Sequence, residues 1–194
     1  VGVRALQRYA SERALVEGSW TEDALPRNGK SVGVVGSGPA GLTAAYFLQR
    51  TGYDVTVYEA AATVGGMLRS CVPEYRMPSA DLEREIATIE SLGVVLRRNC
   101  KIGSDLSFET VQAAHDAIIV ATGAGVGVTL PGLEGPGTDT ALEFIASVRL
   151  AGGRAIGRRV VVVGGGDVAM DAPRTAIRLG AESVTDASLE VYDR

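Results

Sequence analysis

The feature that most constrains this chain is a glycine-spaced turn set between a short apolar strand and a helix. In VGVVGSGPAGLTAAYF, Gly36, Gly38 and Gly41 follow the apolar run at residues 31–35 and open a helix, and Glu59 ends the next strand. A G-x-G-x-x-G pattern alone is weak in a chain with 25 glycines in 194 residues. The strand before it, the helix after it and the acid closing the following strand decide the reading. Gly36 allows the tight turn, Gly38 lets the backbone approach a pyrophosphate without a Cβ in the way, and Gly41 lets helix and strand pack closely. Ser37, Pro39 and Ala40 complete the turn, where free N–H groups and the helix dipole favour an anion. Glu59, followed by Ala60, is placed to accept hydrogen bonds from the ribose of a bound dinucleotide.

A second strand-turn-helix begins at residues 159–163, with Gly164, Gly165 and Gly166 at the turn and Asp167 and Val168 opening the helix. Asp167 suits the positive end of that helix dipole. Pro173 removes a backbone donor seven residues past Gly166 and is expected to bend the helix. Between the two motifs, strands are expected at 54–59, 94–97 and 116–121, and helices at 79–92 and 140–150. Alternating strands and helices predict an α/β protein with parallel sheets, one Rossmann-like dinucleotide domain and a truncated second one. The division expected is a helix and linker at 1–30, a first domain at 31–137, and a connecting helix with the start of a second domain at 138–194. The chain opens without Met and stops after an apparent strand near 190–192, so it reads as a piece of a longer protein.

Composition narrows the function class. A 46% share of hydrophobic residues supports a buried core, and a net charge of −4 without blocks of like charge lacks the basic face of a nucleic-acid binder. The first residues carry charges throughout, which argues against a signal peptide or membrane anchor and for a cytoplasmic location. Cys71 and Cys100 stand too far apart for a CxxC redox pair. His115, the only histidine, has no sequence partners for catalysis and reads as structural. Trp20, in the linker, reads as a partly exposed anchor.

Four stretches, GSGPAGLTAAYFLQRTGYDVTVYEA, VGGMLRSCVPEYRMP, ATGA and VVVVGGGDVAMDAPRTAIRLGAESV, together resemble the small (beta) subunit of NADPH-dependent glutamate synthase and its relatives. Those relatives include the flavin half of dihydropyrimidine dehydrogenase and bifurcating transhydrogenase subunits. The resemblance implies FAD at the first motif and NADPH or NADH at the second. It also implies electrons leaving through iron–sulfur clusters held by an N-terminal Cys-rich domain. Those cysteines are not in this chain, so the clusters would lie upstream or on a partner.

Carried over by position, Gly65, Gly66, Met67 and Leu68 would line the flavin, Arg76 would contact FAD, and the backbone around Ile102 would meet the adenine. Ala121, Thr122 and Gly123 would pass beside the pyrophosphate or flavin, and residues Gly164 to Val168 would hold the NAD(P)H pyrophosphate. Cys71 stands where the family usually has Gly. Members close the next strand with two basic residues that meet the NADP 2′-phosphate. Here the corresponding end is read as Tyr192-Asp193-Arg194 after an insertion at 186–189, with Arg194 as the phosphate contact and Asp193 opposing it.

The function expected is a flavoprotein subunit that takes hydride from NAD(P)H to FAD and passes electrons to an iron–sulfur chain, a larger catalytic subunit or both. Cofactor chemistry of this kind needs binding residues and no catalytic acid or base. The alternative is a non-catalytic FAD- or nucleotide-binding module of a larger assembly. A homo-oligomer is compatible with either. No nucleic acid, membrane or metal ligand is expected in this chain.

Overall fold

The computed structural model describes residues 2–18 and 24–188. Trp20 and residues 189–194, including the anticipated strand near 190–192 and Arg194, lie outside the described residues. The chain divides into two compact units. One comprises the residues up to 66 together with 79–123, and the other comprises 67–78 together with the residues from 124 onward.

The first unit begins with the helix α1, Val3–Glu17, which closes on Gly18 in the left-handed conformation. Residues 24–30 follow the end of a later helix, tied to it by bonds from Leu25 N to Arg50 O and from Asn28 N to Gly52 O. The β-branched runs Ser31–Val35 (β1) and Asp54–Tyr58 (β2) flank α2, Pro39–Arg50, and pair in parallel from Ser31↔Asp54 to Val35↔Tyr58. Strands Val95–Arg97 (β3) and Ala117–Val120 (β4) flank this pair, giving a four-stranded parallel sheet in the order β3-β2-β1-β4. Parallel strands covered by helices read as near-continuous apolar runs because both faces are buried. Val32, Val34, Val55, Val57, Val94 and Ala45 accordingly form the core.

Two further helices belong to this unit. The first, Ser79–Ser91, was expected; the second, Phe108–Ala114, was not, because seven residues are too few to show a helical period. In chain order, these are α4 and α5, after a four-residue helix α3, Met67–Ser70, in the second unit.

The second unit contains α6, Ala141–Ala151, and the parallel pair Arg159–Val163 (β5) and Ser183–Ala187 (β6) joined by α7, Asp167–Arg178. Helix α7 runs unbroken through Pro173. The strand partnering β5 therefore includes residues 186 and 187, which sequence had set aside as an insertion. Two causes explain the correction. Gly180 ends the helix with φ of 97°, and the bond from Glu182 N to Arg158 O starts the strand immediately afterward. Asp186 breaks the apolar run that would have revealed it.

No described helix is long and apolar enough to cross a membrane.

Candidate dinucleotide-binding site

The first glycine turn is built by the sheet beneath it. Gly36 N donates to Tyr58 O at 2.8 Å and Ala121 N to Val35 O at 2.8 Å, so β2 and β4 hold the turn from both sides of β1. Gly36 has φ of 103°, and a Cβ there would run into Ala121 O. Only glycine combines that left-handed backbone with that approach. A Cβ at Gly41 would strike Gly36 O, which is the helix-to-strand packing expected of the third glycine. At Gly38 the outcome is the opposite: a Cβ meets nothing within 4 Å.

Helix α2 starts at Gly38 with Pro39 in its first turn and has no side-chain cap. The orphan N–H groups of a helix start need acceptors. In α5 the Ser107 side chain accepts from Thr110 N, and in α6 Thr140 and Glu143 form a capping box. At α2 the N–H groups instead meet the open space beside Gly38, which suits a pyrophosphate.

Two other segments converge on this turn. Gly65 N donates to Ser37 O at 3.1 Å, and a Cβ on Gly66, whose φ is 53°, would come within 2.7 Å of Gly38 Cα. The 65–66 pair thus lies backbone to backbone against the first turn, a closeness that side chains would prevent. Glu59 is half-buried at the end of β2. Its carboxylate accepts from Ser37 N at 3.0 Å, from Ser37 Oγ and from Ala61 N at 2.7 Å. A carboxylate has about four lone-pair sites, so capacity is left for a ribose hydroxyl. The backbone beyond β3 runs alongside, with Cys100 N donating to Glu59 O at 2.8 Å and Ile102 following in a bridge to Leu106. Ala121, Thr122 and Gly123 leave β4 on the other side of the turn. The first unit thereby brings together Gly36 to Gly41, Glu59, Ala60, Gly65, Gly66 and residues 121–123.

The second turn repeats the first. Gly164 N donates to Ala187 O at 2.9 Å, α7 starts at Gly166 without a side-chain cap, and a Cβ on Gly166 would meet nothing within 4 Å. Asp167 is exposed in the first turn of α7 and Val168 follows it.

Met67, Leu68 and Arg76 belong to the second unit. Asp171 is buried in α7 and holds Arg76 Nη1 at 2.8 Å and Tyr75 Oη at 3.1 Å. Burial, then Asp171, raises the Tyr75 pKa above its ordinary value. Among the described residues, Asp171 takes one of the five Arg76 donors. Cys71 Sγ lies 3.3 Å from Ser70 Oγ and is directed at Leu142 O.

His115 stands apart from the turns. Its Nε2 pairs with Tyr58 Oη at 2.9 Å, and its ring lies where a Cβ on Gly33 would be, with Cδ2 at 2.7 Å. Burial, then the nearby Arg97 cation, lowers its pKa, with Asp116 opposing.

The model of the pyridine nucleotide-disulphide oxidoreductase family matches residues 30–192. A Cereibacter sphaeroides protein that bears the name of a glutamate synthase (NADPH) small chain is 38% identical over 95% of this chain and 48% of its own length. The NAD-dependent dihydropyrimidine dehydrogenase subunit PreT of Escherichia coli K12 is 36% identical over 100% of this chain and 47% of its own. The chain thus spans about half the length of these curated relatives. Among solved structures, Mycobacterium tuberculosis FprA in complex with NADPH superposes with a TM-score of 0.64 at 25% identity, covering 77% of this chain and 36% of that one. Lactococcus lactis thioredoxin reductase gives 0.54 at 25% identity, covering 82% and 56%.

Proposed function

Because this chain belongs to the pyridine nucleotide-disulphide oxidoreductase family, we propose that it carries the two dinucleotide sites of a flavin-dependent NAD(P)H oxidoreductase of the glutamate synthase small-subunit type. FAD would bind at the first turn and NADPH or NADH at the second. If both were bound, they would supply hydride chemistry between nicotinamide and flavin, with an iron–sulfur domain or a larger catalytic subunit as the electron acceptor.

One observation carries the reading. Two turns of the same construction each present an uncapped helix start to open space at a glycine, Gly38 in one and Gly166 in the other. In the first, Gly36, Ser37 and Pro39 would shape the turn and Gly38, Ala40 and Gly41 would offer backbone N–H groups to the pyrophosphate, with Glu59 and Ala60 at the ribose and Ile102 by the adenine. Gly65, Gly66, Met67 and Leu68, with Ala121, Thr122 and Gly123, would bound the flavin, and Arg76 would contact it with donors not used by Asp171. In the second, Gly164, Gly165, Gly166, Asp167 and Val168 would meet the nicotinamide dinucleotide. No side chain is asked to move a proton; the residues bind and orient.

The test is the absorption spectrum of the purified full-length protein, recorded anaerobically before and after NADPH or NADH. A flavin spectrum that bleaches with either nucleotide is the expected result. A stable flavin spectrum would replace this reading with that of a non-catalytic FAD-binding module, and a colourless protein would overturn the assignment of the first turn.

A further inference from the structure

Away from the glycine turn, the second unit holds a cavity of about 270 Å3 between α6 and α7, closed by residues 73–75. Ile145 and Val148 reach it from one face of α6, and Thr175 and Leu179 from one face of α7, because residues three or four apart on a helix are neighbours. Pro73, Ile145 and Thr175 are buried there. Thr175 gives its hydroxyl hydrogen to Asp171 O at 2.8 Å, so the floor presents mainly hydrocarbon. The charged groups stand around this floor. The Arg149 guanidinium pairs with Glu74, and burial, then the nearby Arg69 cation, lowers its pKa. The Arg178 guanidinium lies 4.0 Å from the centre of the Tyr75 ring. Its Nη1 donates to Arg174 O at 2.9 Å, and no carboxylate pairs with it among the described residues.

We propose that this cavity binds a small carboxylate with an apolar body, the body lying against Ile145, Val148 and Leu179 and the carboxylate on the Arg178 guanidinium. An apolar concavity with a few convergent polar groups is the usual form of a small-molecule site. A guanidinium offers donors in a plane that match the two oxygens of a carboxylate, and stacking on Tyr75 holds that plane in place. Charge selects the same ligand: Arg149 and Arg178 line the cavity with Arg69 close by, and Glu74 is the carboxylate among the lining residues. A neutral apolar ligand would leave that positive surplus uncompensated. The site is separate from the second glycine turn, because Thr175, Arg178 and Leu179 close α7 at the end opposite Gly166. That helix is 12 residues long, about 18 Å. The inference therefore does not rest on either dinucleotide reading.

The experiment follows 4-fluorophenylacetate by fluorine NMR on the full-length protein, as wild type, Arg178→Gln and Val148→Phe. The wild type is expected to bind it saturably with a Kd of about 1 mM, the strength open to a ligand of this size. Arg178→Gln removes the charge at an exposed position, and Val148→Phe fills the cavity from a half-buried one. Each should weaken binding by about tenfold or more. 4-Fluorotoluene, which keeps the ring and lacks the carboxylate, should bind the wild type about tenfold more weakly and be indifferent to Arg178→Gln. Saturating NADP+ should leave the affinity for the acid within about twofold. Absence of saturable binding up to about 20 mM, or an affinity that either variant leaves within about twofold, overturns the site. Displacement of the acid by NADP+ overturns it too, by placing the acid in a nucleotide site, and 4-fluorotoluene binding as tightly as the acid overturns the role of Arg178.

Discussion

The two glycine turns are alike while the sheets that carry them are not. In the first unit, β1 lies between β2 and β4, and Val34 and Val57 are fully buried. In the second, β5 has β6 as its strand partner among the described residues, and Val161 is 65% exposed. Even so, the bond from the first glycine to the neighbouring strand differs by only 0.1 Å between the units, at 2.8 and 2.9 Å. The turn is therefore a local construction, set by strand register, one backbone bond and a glycine at the helix start. What the units do not share is the side chain after the second strand and the polar group that anchors the helix. In α2 that group is Gln49, whose amide donates to Leu92 O and accepts from Val55 N. In α7 it is the charged Asp171.

Filling the open glycine position in each turn has the largest expected effect. Gly38 has φ of −69° and ψ of −179°, and Gly166 has −81° and 175°, both ordinary extended backbone for valine. Neither Cβ meets protein. Gly38→Val and Gly166→Val should fold like the wild type, yet each places a branched side chain where a pyrophosphate would lie. Gly38→Val is expected to weaken flavin binding by about a hundredfold or more, about 3 kcal/mol. Gly166→Val should keep flavin and lose nicotinamide nucleotide binding to a similar extent. Flavin content and nucleotide titration on the full-length variants are the measurements. Loss of flavin from Gly166→Val, or its retention at wild-type stoichiometry in Gly38→Val, would show that the turns do not divide the cofactors in this way.

The extent to which this was legible in sequence follows the same division. The first turn could be read outright because its glycines, its apolar strand and Glu59 are all local signals. The 65–66 pair carried only a loop signal, and its contact with Gly38 comes from the fold. Residues 186 and 187 pair with β5 although they read as an insertion, because Asp186 interrupts the apolar pattern and the later Tyr192-Asp193-Arg194 resembles a family strand end. The partnership of Arg76 and Asp171 spans 95 positions, and no periodicity reports a pair that distant. His115 was read as structural, and it is Gly33 in β1 that makes room for its ring.

The helix anchors differ in charge, and the expected effects of removing them are smaller. Asp171→Ala leaves Arg76 and Tyr75 without their acceptor, and breaking a buried pair costs up to about 3–5 kcal/mol. The Arg76 side chain is 42% exposed and can recruit water. A loss of about 1–3 kcal/mol is therefore expected, and it should shrink as salt is added. Gln49→Ala strands Leu92 O and Val55 N, for a loss of similar size that salt leaves unchanged. Denaturant titration of the full-length variants at two ionic strengths measures both. If the two losses respond alike to salt, the charge on Asp171 is irrelevant to its anchoring role.

The smallest effect concerns His115, which has no counterpart in the second unit. Its Nε2 engages Tyr58 Oη, while Nδ1 is buried with no hydrogen-bond partner among the described residues. Burial and Arg97 hold its pKa below the ordinary value, so in the folded protein the ring stays neutral to lower pH than in the unfolded chain. As pH falls below about 6.5, the unfolded chain takes up the proton first. The contribution of the neutral ring to stability is thus fully present above that pH and is lost as pH falls toward the folded value. His115→Phe removes the titration while keeping a ring beside Gly33, at the cost of the bond to Tyr58. The wild type should lose Tm relative to this variant between pH 7 and 5 by about 2 °C or less, because the site is only half-buried and solvent screens it. Thermal melts of the full-length pair across that range test the sign: a difference that stays flat, or grows in the wild type's favour on acidification, would show that His115 is not held neutral.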